Sequence, residues 1–189
     1  TLSSSVINSY VVTYTLPSGT FENRSLGITA AAFASTQSFE FNGIDSKFTV
    51  EPITLSSSYT ISAWAKRDSS SNNEFLLGNN ATFGYGAYFN GTNAIYFKQD
   101  SGNTTFNNSA ITTALARTDW VNWVFVKDSS AGTISIYVDG TLAQSVTSAL
   151  GMTNLTAIGG DGTAATNYIW DGNIDEVAIF SSALTSGNI

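Results

Sequence analysis

Two neighbouring carboxylates, Asp175 and Glu176, first raise the question of catalysis. Hydrolysis of a glycosidic bond needs two carboxyl groups that flank one bond, which on a strand means residues two or four apart on a shared face. Adjacent strand residues point to opposite faces, so this pair cannot flank a bond. No other predicted strand holds two carboxylates at the required spacing, and the sequence therefore disfavours a hydrolase.

Histidine and cysteine are both absent from the 189 residues. Their absence excludes Ser-His-Asp and Cys-His nucleophile systems, disulfide bonds, and metal centres built on thiolate or imidazole ligands. The formal net charge of −7 argues against a nucleic-acid partner, because no cluster of Lys and Arg exists to neutralise phosphates. No run approaches the ~20 apolar residues of a membrane span, so membrane insertion is not expected.

The polar surface must be built mainly from uncharged residues. Charged residues make up 11% of the chain and aromatic residues 13%, so solubility depends on the abundant Ser, Thr and Asn. Such a surface is typical of extracellular or virion-exposed proteins. The chain begins at Thr1 without a leader, which indicates a mature product or a fragment.

The stretch from Gly159 to Gly172 is rich in Gly, Thr and Asn and is predicted to be a loop. Recognition concentrates on loops at the rim of a rigid scaffold, and an aromatic ring in such a loop can stack on a sugar. Nearby carboxylates and amides offer acceptors for sugar hydroxyls. The sequence therefore predicts a glycan-binding loop with these ligand-binding residues: Trp170, Tyr168, Asp161, Asn167 and Asp171.

Other aromatic residues lie within predicted strands. Trp64 and Tyr137 alternate with apolar neighbours and therefore point away from the core, where they either bind sugar rings or are covered by loops. The second interpretation is favoured. Trp120 and Trp123 are three residues apart and so lie on opposite faces, which places at least one of them in the core.

The elements that must position these residues are strands. Apolar residues recur with period two, turn residues separate the segments about every ten residues, and helix periodicity is almost absent. Asp139-Gly140 predicts a two-residue type I′ hairpin, and the Asn42-Gly43 region predicts either a hairpin or a corner between strands. The residues expected between the two sheets are Phe39, Phe41, Ile61, Ile136, Val138, Val177 and Ile179.

On the order of a dozen strands at this length predicts an all-β fold, a two-sheet antiparallel jelly-roll sandwich. Residues 37–189 are expected to form that sandwich. Residues 1–36 are expected to supply N-terminal strands or an arm joined to it.

Six segments resemble, in order, the laminin-G-like, concanavalin A-like family of jelly rolls. The resemblance covers about residues 37–189, and it implies the fold strongly and the ligand weakly, since this fold occurs in adhesins, carbohydrate-binding modules, matrix proteins and phage structural proteins. The segments are Phe39–Gly43, Tyr59–Lys66, Trp120–Asp128, Ile134–Leu142, Ala157–Gly160 and Trp170–Leu184.

The resemblance also implies a structural Ca²⁺, an ion that takes six or more oxygen ligands. Asp175 is expected to begin the core-facing row of the last strand, ahead of Val177 and Ile179. There it either accepts hydrogen bonds from loop N–H groups or, with the carbonyl of Asn42 or Gly43 in the facing corner, supplies part of the ligand shell of the ion.

Three functions remain open on the sequence. The first is a non-catalytic, surface-exposed domain of a phage virion or secreted assembly that recognises a glycan or host-surface polysaccharide. The second is a purely structural virion or surface-layer domain, in contact with other subunits and without a glycan ligand. The third is a glycan hydrolase, which the missing carboxylate pair disfavours.

Overall fold

The computed structural model describes residues 38–79, 85–99, 102–161 and 168–189, which belong to one compact unit, Ser38–Ile189. The predicted N-terminal segment, residues 1–36, and Asn167 of the predicted loop lie outside the described residues. No helix within the described ranges is long and apolar enough to cross a membrane.

Alternating apolar and polar residues form strands along almost the whole of this unit. A 3₁₀ turn at Ser186–Asn188 follows the last strand. In chain order the elements are β1 (Phe39–Asn42), β2 (Phe48–Thr54), β3 (Tyr59–Arg67), β4 (Asn73–Asn79), β5 (Tyr85–Asn90), β6 (Ala94–Gln99), β7 (Gly102–Phe106), α1 (Ser109–Leu115), β8 (Val121–Asp128), β9 (Thr133–Val138), β10 (Thr141–Thr147), β11 (Asn154–Ile158) and β12 (Asp171–Phe180).

The strands form two six-stranded sheets, which confirms the predicted antiparallel sandwich. Sheet 1 has the order β1-β12-β3-β8-β9-β10, and sheet 2 has the order β2-β11-β4-β5-β6-β7. Every strand pair is antiparallel. Each strand therefore turns one row of side chains toward the other sheet and one row outward.

The inward rows form one apolar core. Of the predicted core residues, Phe41, Ile61 and Ile136 are buried, and three further predicted residues are partly buried and packed against the core. Those three are Val138, Val177 and Ile179. Phe39 was wrongly predicted as core, because it begins an edge strand and its side chain is 60% exposed.

The structure confirms one predicted turn and decides between the two alternatives for the other. Asp139 and Gly140 both have positive φ, 48° and 78°, and join β9 to β10 as the predicted hairpin. The Asn42-Gly43 region is a corner rather than a hairpin, because β1 and β2 belong to different sheets. The corner places both edge strands, one from each sheet, on the same side of the sandwich.

A short helix, α1, was not predicted from the sequence. The side chain of Asn108 caps it by accepting a hydrogen bond from the Ile111 N–H at 3.0 Å. Ile111, Ala114 and Leu115 face the core. Seven residues are too few to show helix periodicity, so the helix depends on this cap and on packing.

Candidate functional site

Three tyrosines lie together on the outer face of sheet 2 and are here called the tyrosine patch: Tyr88, Tyr96 and Tyr168. Tyr88 of β5 is paired with Tyr96 of β6, and their side chains share one face. Ala87 and Phe89 point into the core, so the alternation of β5 directs Tyr88 outward. The strand pattern of two neighbouring strands therefore builds this patch.

Tyr168 completes the patch from the segment before β12. Its backbone carbonyl accepts a hydrogen bond from the Phe75 N–H at 2.8 Å, and its φ of 60° lies in the left-handed region. Its ring lies 5.4 Å from the ring of Tyr88 and 6.3 Å from that of Phe75, centroid to centroid, in both cases edge to face. The fully buried Phe75 thus forms the floor, and Tyr168 is 37% exposed above it.

The rings of Tyr88 and Tyr96 lie nearly parallel, with an interplanar angle of 12° and centroids 6.1 Å apart. The Asn90 side-chain amide donates to the Tyr96 hydroxyl at 3.4 Å, which holds a polar group beside the rings. Burial raises the pKa of Tyr88, and the neighbouring Tyr168 and Tyr96 raise it further. A tyrosine hydroxyl can donate as well as accept hydrogen bonds.

At the surface, the patch offers the exposed ring of Tyr168 and the partly buried ring of Tyr96, edged by hydroxyl and amide groups, while Tyr88 is buried. A pyranose ring has the complementary features, an apolar face of C–H groups and a rim of hydroxyls, and recessed aromatic sites with a few polar groups favour ligands of that kind. The patch as a group was not predicted from the sequence. Tyr88 itself is a packing residue, because it is only 6% exposed and its ring contacts those of Phe75, Tyr96 and Tyr168. The signal was present, since both strands alternate apolar inward residues with tyrosine.

Trp170 does not line an exposed loop. Its side chain is fully buried, its ring contacts Phe89 edge to face at 5.3 Å, and its Nε1–H donates to the Lys66 carbonyl at 3.3 Å. The backbone around it is also fixed, because Trp170 N–H donates to the Gly159 carbonyl and Gly43 N–H donates to the Trp170 carbonyl. The prediction of an exposed ring that stacks on a ligand is therefore wrong.

The two described polar residues of the predicted loop are not exposed binding residues. Asp161 is fully buried, which removes it from contact with a surface ligand. Asp171 lies in β12, where its carboxylate accepts a hydrogen bond from the Asn72 amide at 3.1 Å and packs against Gly43. Among the described residues of that loop, Tyr168 is the one that remains available at the surface.

The predicted calcium ligands are held apart by the strand register. Asn42 pairs with Asp171, so Asp175 lies four residues further along β12, about 13 Å away along the strand. The Asn42 side-chain oxygen already accepts hydrogen bonds from three backbone N–H groups, those of Ile44, Asp45 and Ser46. Asp175, Asn42 and Gly43 therefore do not form one ligand shell, and the described residues contain no cluster of three acidic side chains that could hold a metal.

Asp175 also faces the opposite way from the prediction. A bulge between Asp175 and Ala178 inserts one extra residue into β12, and Glu176 within it has a φ of 48°. Asp175 pairs with Trp64 on the outer face, whereas Val177 and Ile179 pack against the core. The carboxylate accepts a hydrogen bond from its neighbour, the Glu176 N–H, at 2.8 Å.

Tyr137 and Trp64, the two aromatic residues predicted to point outward, differ in burial. Tyr137 is buried with Val124 and Val126 beneath Ala183 and Ile189 of the C-terminal segment, as the favoured interpretation expected.

Trp64 is 37% exposed, which contradicts that interpretation for this residue. Its partners on the adjacent strands are Asp175 and Asn122. Trp123 is buried and Trp120 is 37% exposed, which agrees with the predicted opposite faces.

A buried ion pair lies directly before the patch floor. Arg67 Nε donates to Glu74 Oε2 at 3.2 Å, and both side chains are buried. The same guanidinium also donates to three backbone carbonyls, those of Asn72, Gly91 and Leu115. Burial raises the pKa of Glu74 to about 7, although Arg67 opposes the shift. This cluster fixes the chain segments that end next to Phe75.

Comparisons with known proteins agree with this architecture. A model of the concanavalin A-like lectin/glucanases superfamily matches residues 42–189. A search among curated proteins found no match. Several solved structures share the fold at sequence identities that show the fold alone.

A candidate carbohydrate-binding protein from Bacteroides ovatus aligns at 18% identity and a TM-score of 0.61, over 80% of this chain and 45% of that one. Domain 4 of the extracellular GH43 arabinanase AbnA from Geobacillus stearothermophilus, solved in complex with arabinotriose, aligns at 18% identity and a TM-score of 0.52, over 80% and 73%. The binding domain of botulinum neurotoxin serotype D aligns at 12% identity and a TM-score of 0.55, over 80% and 40%.

Proposed function

We propose that this chain, which belongs to the concanavalin A-like lectin/glucanases superfamily, is a non-catalytic domain that binds glycan at the tyrosine patch. One observation carries the proposal: Tyr88, Tyr96 and Tyr168 meet on one sheet face above a buried phenylalanine, with a side-chain amide held against one hydroxyl. Aromatic rings in fixed positions supply contact area at little entropic cost.

The charge of the chain narrows the class of glycan. With a formal net charge of −7, the chain repels polyanions at long range, so a neutral glycan is favoured over an acidic one. Two of the similar proteins are described by their carbohydrate ligands, one as a candidate carbohydrate-binding protein and one as a complex with arabinotriose. These likenesses support a carbohydrate as the ligand class.

Two carboxylates within the last strand are too far apart for a glycosidase pair. Strand β12 contains Asp171 and Asp175, which are four residues apart and share a face. Their separation along the strand is about 13 Å, whereas glycosidase pairs lie about 5–9.5 Å apart. Asp171 is also engaged by the Asn72 amide.

The proposed setting is outside the cell, as a surface-exposed domain of a phage virion or of a secreted assembly. The support is compositional: a chain without cysteine, with few charges and with many Ser, Thr and Asn residues. In that setting the glycan is a host-surface polysaccharide.

The test compares two aromatic residues of equal exposure on opposite faces of the sandwich. Tyr168→Ala removes the exposed ring of the patch, and Trp64→Ala removes an equally exposed ring of sheet 1. On a glycan array and by affinity electrophoresis in neutral polysaccharides, Tyr168→Ala should weaken binding by about 1–3 kcal/mol, and Trp64→Ala should leave it unchanged. Loss of binding in the Trp64 variant alone, or a native protein that binds none of these glycans, would refute the proposed site.

A further inference from the structure

An apolar groove runs along the side of the sandwich where the edge strands β1 and β2 face each other. Its volume is about 270 Å³. It is distant in the fold from the tyrosine patch, which lies on the outer face of β5 and β6. The residues that line it are Phe39, Phe41, Phe48, Val50, Ile158, Ile174, Asp175, Glu176 and Val177.

The groove exposes two aromatic side chains. Phe39 and Phe48 form its rim and are 60% and 40% exposed, while Phe41 at its floor is buried. The ring of Phe48 lies edge to face with both other rings, at 4.5 Å from Phe39 and 5.7 Å from Phe41. Contiguous exposed apolar surface with a polar border is typical of a site of interaction with another molecule.

Two carboxylates border the same groove. Within the described ranges, neither Asp175 nor Glu176 has a Lys or Arg partner at ion-pair distance. Glu176 occupies the left-handed conformation at the bulge, where glycine is the residue without a steric cost. A non-glycine residue in this conformation is held there by the surrounding structure, here the pairing of β12 with β3 on either side of the bulge.

We propose that this groove binds an extended segment of a partner protein that carries apolar side chains and a lysine or arginine. The apolar side chains fill the space between Phe39 and Phe48, and the cation pairs with Asp175 and Glu176. The charge complementarity decides the class of occupant, because an anionic segment would meet two carboxylates without a counter-charge. An extended segment fits because β1 is an edge strand, with β12 on one side and no described strand on the other.

The two edges differ in their capacity to pair with such a segment. β2 contains Pro52, which lacks an N–H and interrupts pairing along that edge. β1 contains no proline. The segment is therefore expected to lie against β1, with alternate side chains directed into the groove.

The experiment uses defined probes, because the partner is unidentified. A fluorescein-labelled peptide of about four Val-Lys repeats is titrated against the full chain by fluorescence polarisation, with Ser-Lys and Val-Glu repeats of equal length as controls. The Val-Lys peptide should bind the native chain, and both controls should bind at least about tenfold more weakly, since tenfold corresponds to the loss of one good contact. Equal binding of the Ser-Lys peptide would show general attraction to an acidic protein and would overturn the proposal.

Variants of the chain then locate the site. Phe48→Ser should weaken binding of the Val-Lys peptide about tenfold, and Glu176→Gln should weaken it severalfold. Asp68→Asn is the matched control for Glu176→Gln, because it removes one exposed carboxylate at the other end of the β12–β3 pair. Equal weakening by the two neutralised carboxylates would overturn the proposal, and Glu176→Gln keeps this test valid if Phe48→Ser does not fold.

The variant Tyr168→Ala separates this proposal from the glycan proposal. It should leave binding of the Val-Lys peptide unchanged, and Phe48→Ser should leave glycan binding unchanged. Loss of peptide binding in Tyr168→Ala would place the peptide on the tyrosine patch and refute the groove as its site.

Discussion

Trp170 provides the sharpest test of the structure, because the sequence and the structure predict opposite effects for its removal. If Trp170 were an exposed binding residue, Trp170→Ala would weaken ligand binding and leave stability unchanged. In the structure its side chain is fully buried, contacts Phe89 edge to face, and donates its indole N–H to a backbone carbonyl. The substitution therefore creates a cavity and leaves the Lys66 carbonyl without this donor.

The expected magnitude follows from these contacts. Replacing a buried Trp with Ala costs about 3–5 kcal/mol, a range that includes the lost packing and the cavity. For a domain of this size, each kcal/mol lowers the melting temperature by about 2–4 °C, so Trp170→Ala should melt about 6–20 °C below the native chain. Thermal melts followed by far-UV circular dichroism measure this without depending on tryptophan fluorescence.

Trp64→Ala is the matched control, because it removes the same side chain from an exposed position. Its cost should be about 1 kcal/mol or less, near the centre of the range for single substitutions. Equal melting temperatures for the two variants would refute the assignment of Trp170 to the core, as would a Trp170→Ala chain that loses glycan binding while it melts normally.

Three further predictions concern local stability. Asn108→Ala should destabilise the chain by about 1 kcal/mol or more, because it removes the α1 cap and the hydrogen bond that the Asn108 amide donates to the Ala143 carbonyl. Asn107→Ala should have little effect, and chemical denaturation that ranks the two variants equally would contradict this role of Asn108. Glu176→Gly should stabilise the chain by about 1 kcal/mol, because glycine adopts a positive φ without steric strain. Asp139 has the same φ of 48°, but Asp139→Gly should not stabilise the chain, because it removes the carboxylate that accepts hydrogen bonds from Arg117 and Asn122. Since burial raises the pKa of Glu74 to about 7 from an ordinary 4.5, the folded state binds its proton more tightly, and this residue's contribution to stability should fall as pH rises from about 4.5 to 7. In Glu74→Gln, urea denaturation at pH 5 and pH 7 should lack this decrease, and an unchanged pH dependence would exclude Glu74 as its source.

The fold was predictable because period-two alternation and turn residues act locally. Asp139-Gly140 specifies its hairpin from two residues alone, since few other residues tolerate positive φ at both positions. The order of the family segments supplied the rest of the architecture. Sheet assignment at the Asn42-Gly43 corner was not predictable, because both a hairpin and a corner satisfy the same local pattern.

The candidate site was predictable only in part. Tyr168 was identified as a surface aromatic residue, and the structure places it at the surface. The burial of Trp170 could have been predicted by extending the inward row of β12 backward from Ile174 through Gly172, which brings Trp170 into the same row. The Gly-rich stretch before it obscured that continuity.

The bulge at Glu176 explains the error at Asp175. A strict alternation counted back from Val177 places Asp175 inward, and one inserted residue reverses that direction. The residue types of this stretch do not indicate the inserted residue, because the position with positive φ is occupied by Glu rather than by Gly. Tertiary pairing with β3 fixes the bulge, and only the structure contains that information.

The tyrosine patch and the groove are placed so that their contributions should be independent. In sheet 2, β2 and β5 are separated by β11 and β4, which puts about 14 Å between the groove edge and the nearest patch strand. The patch lies on the outer face of that sheet, and the groove opens at its side. Substitutions this far apart without shared partners usually have additive effects. In the double variant, Phe48→Ser with Tyr168→Ala, peptide binding should therefore weaken as much as in Phe48→Ser alone, and glycan binding as much as in Tyr168→Ala alone. This is the result expected for a domain that binds a partner protein through one surface and its glycan through another.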